Sequence, residues 1–170
     1  MEEAVISNPS FWGLALAIAG AAFAVAFAGA GSSIGVGAAG QAGAGVTAEK
    51  PELFGKVLIL EALPATQGIY GFLVAFLILM FTGVLGGEPL ELTVAQGALV
   101  GFAGVPVGLA GYFSGMHQGR VSAAGMGTIA KNPADMGKAM VLSAMVETYA
   151  VLGFLVSALI VFAIPAIAGA

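Results

Sequence analysis

From Ala139 to Phe162 the sequence reads AMVLSAMVETYAVLGFLVSALIVF, an apolar run long enough to cross a bilayer, with one ionisable side chain, Glu147, near its middle. Three further apolar stretches of about 20 residues or more occur along the chain. A soluble domain cannot hide so many. With 59% hydrophobic and 8% charged residues, there is also too little polar surface to cover a globule of 170 residues. The chain is therefore read as an all-α membrane protein. It has no cysteine, which excludes disulfides and thiolate-held zinc or iron–sulfur clusters. A net charge of −4, spread over loops, leaves no electrostatic footprint for nucleic acid. The first residues, MEEAVISNPS, are acidic where a secretory signal is basic, so the apolar run after them is expected to be a retained span.

Proline and charge clusters divide the chain into four transmembrane helices: Ser10 to about Val46, Glu52 to about Phe81, Leu92 to about Ala130, and Ala134 to about Ile164. Pro51 and Pro133 stand at helix starts, where the missing N–H has no intrahelical partner to lose. Helices of about 30 residues measure about 45 Å, more than the ~30 Å of hydrocarbon, so the hairpins should protrude on one side. Lys50, Lys56, Arg120, Lys131 and Lys138 flank the two hairpin turns, whereas the termini and the middle connection carry only acids. By the positive-inside rule the turns are expected on the cytoplasmic side and both termini on the other.

The halves are copies. An offset of 82 residues pairs Pro51 with Pro133, Lys56 with Lys138, Thr66 with Thr148, and the GFLV at Gly71–Val74 with that at Gly153–Val156. It also pairs Gly29 with Gly111, Ser32 with Ser114 and Gly37 with Gly119, without a gap. Two tandem hairpins are expected, one over residues 1–88 and one over 89–170. They are parallel repeats, unlike the inverted ones of many carriers. Glu147 falls opposite Ala65, so only one hairpin carries the buried acid.

Helices one and three are rich in glycine, with small residues four apart at Gly31 and Gly35 and at Gly111, Gly115 and Gly119. In lipid this spacing lets backbones approach closely. Helices two and four carry Phe, Leu and Ile instead. The asymmetry predicts thin helices one and three on an inside and bulky ones outside, as in a tightly curved homo-oligomeric ring of hairpins.

Polar residues gather at one depth. Leu63, Thr66, Gln67 and Tyr70 share one face of helix two. Pro64 removes the N–H that would pair with the carbonyl of Leu60, so the helix should loosen there and offer main-chain carbonyls as ligands. Glu147 and Tyr149 are expected at similar depth on helix four, and His117 and Gln118 lie on helix three. An ionised carboxylate at the bilayer centre costs roughly 2.5–3.5 kcal/mol on insertion scales. No Lys or Arg stands at matching depth, since Arg120 lies closer to the cytoplasmic end. An oxygen-rich set with one negative charge suits a small monovalent cation, whereas calcium or magnesium would leave net positive charge in lipid. His117 reads as a packing or hydrogen-bonding residue because no second histidine exists. Glu61 lies off the Leu63–Thr66–Gln67 face; it could be a second protonatable group, a structural acid or an interfacial residue.

LPATQGIYGF in helix two, FSGMHQGRVSAAG in helix three and MVETYAVLGF in helix four resemble the duplicated proteolipid of V-type ATPases, their K-type rotor component, most nearly its bacterial sodium-translocating form. The resemblance implies a membrane rotor ring surrounded by lipid in a prokaryotic cell membrane. Its partners would be a stator protein with an essential arginine and the central stalk, with ATP hydrolysed elsewhere and no catalysis by this chain. It further implies a Na+ site made by the main-chain carbonyl of Leu63, Thr66, Gln67, Gln118 and Glu147, supported by Tyr70 and Pro64. Proton-using relatives generally lack the Thr-Gln pair, yet H+ stays an alternative cargo. Glu61 departs from the family, where an amide or apolar residue is usual. A rival of another class is a structural or pore-forming proteolipid without a rotary partner.

Overall fold

The computed structural model describes residues 8–169. Four helical spans follow one another: Pro9–Glu49, Pro51–Phe81, Val94–Lys131 and Pro133–Phe162. Each is long and apolar enough to cross a membrane, and no strand occurs among the described residues. The first starts beneath Asn8, whose side chain accepts the amide of Ser10 at 3.0 Å. This satisfies one of the donors that a helix start leaves without a partner.

Local chemistry sets the other boundaries. The third span begins at Val94, two residues later than the sequence suggested, because Thr93 and Gln96 form a reciprocal capping box. It is interrupted at Ala103, between helices Val94–Phe102 and Gly104–Lys131. Pro106 has no amide for the carbonyl of Phe102, which explains the break. The fourth span ends at Phe162, and a short helix, Ile164–Ala168, follows with Pro165 in its first turn. In the connection between hairpins, Gly83 adopts φ 75°, and a side chain there would also meet the carbonyl of Glu88.

Helices one and three form the most intimate pair, backbone against backbone. Gly35 faces Gly115 and Gly119, and Gly20 faces Gly101 and Gly104, so closely that a Cβ at any of them would collide with the opposing main chain. Exposed bulky side chains concentrate on the second and fourth spans, among them Phe72, Phe76, Leu155 and Phe162. The two proline-led turns lie together at one end of the bundle, where Lys50 donates to the carbonyl of Ala130 and Lys56 to that of Pro133. Both lysines thus satisfy carbonyls at the end of the third span and the turn after it.

The interior has two apolar clusters. One, toward the termini, contains Ala17, Val74, Ile78, Val107 and Val161; the other, toward the turns, contains Val57, Leu60, Met126 and Ile129. Between them along the helices lies a polar layer.

Candidate functional site

The second span carries the layer's first half. Pro64 loosens the helix into a 3-10 turn over Leu63–Ala65. Thr66 closes that turn with its amide on the Leu63 carbonyl, and its Oγ1 donates to the same oxygen at 3.1 Å. One residue on, the Gln67 side chain is fully buried.

The third span meets it. Gln67 Nε2 donates to Gln118 Oε1 and, at 3.1 Å, to Ser114 Oγ. Ser114 Oγ in turn donates to the Val146 carbonyl at 2.9 Å, tying the third span to the fourth one residue before the acid. Glu147 is half-buried. Its Oε1 accepts the Tyr70 hydroxyl at 2.7 Å, and its Oε2 lies 3.4 Å from Gln118 Nε2. Tyr70 is held by Phe154, whose ring centroid is 5.4 Å away.

The residues expected from the sequence to form the site therefore converge: Leu63, Thr66, Gln67, Tyr70, Gln118 and Glu147 form one continuous polar cluster, with Pro64 shaping the turn. Among the described residues no lysine or arginine pairs with Glu147; the one salt bridge among them joins Lys138 to Asp135 in the second hairpin turn. Nor, among the described residues, does any group of three or more His, Cys, Asp or Glu stand close enough to hold a metal ion, so the donor set here is one carboxylate surrounded by neutral oxygens.

Two expectations need correction. Tyr149 does not join the layer: it is 69% exposed, because two residues of helical rotation turn it to the opposite side from Glu147. His117 is likewise exposed, beside Gln118 in sequence but on another face. Two serines belong to the layer although no motif singled them out. Ser114 ties Gln67 to Val146, and Ser32 Oγ accepts the amide of Gly68 at 2.8 Å, just past the proline turn. Their equivalence under the repeat was the available signal; in a glycine-rich helix, serine otherwise reads as one more small packing residue.

The repeat, the four spans and the polar layer have a counterpart in known proteins. The sequence model of the ATP synthase C-subunit family matches twice, over residues 19–78 and 102–160, once in each hairpin. The chain belongs to that family. It is 46% identical over 122 residues to the V-type sodium ATPase subunit K of Enterococcus hirae, covering 72% of this chain and 74% of that protein. It is 44% identical over 121 residues to the A-type ATP synthase subunit K of Methanocaldococcus jannaschii, covering 71% of this chain but half of the relative's length. The proteolipid is thus an integral membrane component of a rotary ATPase, of the ion-translocating rather than the catalytic kind.

Proposed function

We propose that this proteolipid carries Na+ in the rotor ring of a rotary ATPase, one ion per chain, held by Glu147. The observation that carries the reading is the single carboxylate without a basic partner, enclosed by oxygen-bearing groups in a layer between two apolar clusters. The ligands would be the Leu63 carbonyl, Thr66 Oγ1, the side-chain oxygens of Gln67 and Gln118, and Glu147, with Tyr70 fixing the carboxylate. Each glutamine amide presents an oxygen and an amino group at equal reach. Half a turn of the Gln118 amide would exchange the N–H now facing Glu147 for a carbonyl oxygen facing a cation.

Electrostatics supplies the mechanism. With Na+ bound, the net charge of the site is zero and the rotor element passes along lipid. Without it, the carboxylate costs roughly 2.5–3.5 kcal/mol in hydrocarbon and is confined to a wet boundary with a stator. A stator arginine meeting Glu147 there would displace the ion, and torque from ATP hydrolysis would reach the ring through the central stalk. The same cycle runs as a synthase, since about 2.3 kcal/mol per charge is available for each 100 mV. The lysine-rich hairpin turns would face the cytoplasm.

Equilibrium sodium binding to the purified protein tests the reading. Thr66→Ala and Gln118→Ala should each weaken sodium binding about tenfold or more, which corresponds to about 1.4 kcal/mol for each lost ligand. Unchanged sodium affinity in both variants would overturn the sodium assignment in favour of H+.

A further inference from the structure

Away from the span ends, Glu61 and Arg120 are charged residues with no partner within the described part of the chain. Glu61 is half-buried on the second span, and its carboxylate lies over Gly40 of the first, with Oε1 2.7 Å from where a Cβ at Gly40 would stand. Arg120 is exposed on the third span. No hydrogen bond or ion pair engages either among the described residues, and both are costly in a membrane unless paired.

The internal repeat shows where each one points. Under the 82-residue offset, Gly40 and Glu61 correspond to Ser122 and Ser143, which share a 2.8 Å hydrogen bond and are fully buried at the junction between the hairpins. Glu61 therefore occupies the matching place on the first hairpin's outward flank. Arg120 corresponds to Ala38, three residues beyond Gly35, while Ser122 stands three beyond Gly119, the residue that Gly35 touches. Arg120 thus belongs to the second hairpin's outward flank, at the level of Glu61.

If a second copy joins in the order and register of the internal junction, Gly37 of the next copy stands opposite His117 of this one, as Gly119 stands opposite Gly35. Because a side chain at the place of Gly35 would meet opposing main chain, His117 holds these two helices further apart than the internal pair. That accounts for a glycine with no local reason to exist: a Cβ at Gly37 would meet nothing within 4 Å, whereas its equivalent Gly119 is packed against main chain.

We propose that Arg120 of one copy pairs with Glu61 of the next, across a head-to-tail interface that keeps the register of the junction between the hairpins at a wider spacing. This rests on the ring reading above. The pair neutralises two intramembrane charges at once, fixes the register between copies, and leaves Glu147 as the carboxylate free to exchange cations.

The 170-residue chain has no cysteine, so introduced pairs are readable directly. Gly37→Cys with His117→Cys should oxidise to a reducible ladder of dimers, trimers and higher species. Chains carrying one substitution each, when co-assembled, should stop at dimers. Arg120→Glu should lower the resistance of the assembly to denaturing detergent, and the double variant Glu61→Arg with Arg120→Glu should restore it. An intact ring by native mass spectrometry without a ladder would overturn the interface. A ladder with detergent resistance indifferent to both charge variants would overturn the ion pair. Unmodified protein that is monomeric under native conditions would instead overturn the ring reading itself.

Discussion

The junction between the hairpins and the outward flanks of the chain are made from the same repeat, yet they have different chemistry. At the junction, Thr66, Gln67 and Tyr70 of the first hairpin face Ser114, Gln118 and Glu147 of the second. The equivalents of the first set are Thr148, Tyr149 and Leu152, all exposed on the flank, and those of the second set are Ser32, Val36 and Ala65, of which Ser32 is buried against Gly68. At the place of Glu147 the flank has Ala65, so the carboxylate of the polar layer stands at only one of the two junctions. The glycine packing differs as well: Gly20, Gly31 and Gly35 of the junction have Phe102, Phe113 and His117 as their equivalents on the flank.

That contrast can be broken most directly at the acid. Glu147→Gln should abolish sodium binding while the protein still folds, because the amide keeps the size and one acceptor oxygen for Tyr70 and removes the charge; equilibrium binding and circular dichroism read the two separately. Next in size is the scaffold. Gly119→Leu, forced against the Gly35 main chain, should cost more than the roughly 1–3 kcal/mol of ordinary overpacking, and thermal unfolding in detergent should show little or no folded protein. Gly37→Leu, in open space within one chain, should leave the monomeric fold intact.

Smaller effects separate the two sets of polar residues. Tyr70→Phe removes a 2.7 Å hydrogen bond to Glu147 and should weaken sodium binding by about 1.5–3 kcal/mol, the range for hydrogen bonds to charged groups, as measured by titration. Thr148→Ala, at the position equivalent to Thr66 but exposed, should change sodium affinity by less than about 0.5 kcal/mol. Equal losses at Thr66 and Thr148 would erase the distinction between junction and flank.

Much of this was legible in the sequence because membrane solvent leaves few options. Apolar length gave the four spans, the ungapped offset gave the repeat, and Pro64 announced the 3-10 turn through its missing amide. Leu63, Thr66, Gln67 and Tyr70 could be grouped by helical spacing within a single helix. Spacing is blind to which faces of different helices meet. Tyr149 was therefore grouped with Glu147 by depth although it points away, and Ser114 was passed over although it ties three helices together. The break at Ala103 and the start at Val94 depended on one proline and one capping box inside an otherwise continuous apolar pattern. Glu61 was unassignable from helix two alone; its place over Gly40 is a property of two helices.

The central claim is that one carboxylate, Glu147, is neutralised by a travelling cation. Carbodiimide attacks a protonated carboxyl, so labelling of Glu147 in the purified protein, followed across pH with and without sodium, tests it most directly. Millimolar sodium should protect Glu147 at fixed pH, because sodium and the proton compete for the same oxygens. Labelling governed by pH alone, indifferent to sodium, would contradict the account and leave Thr66, Gln67 and Gln118 as residues that only hold helices together.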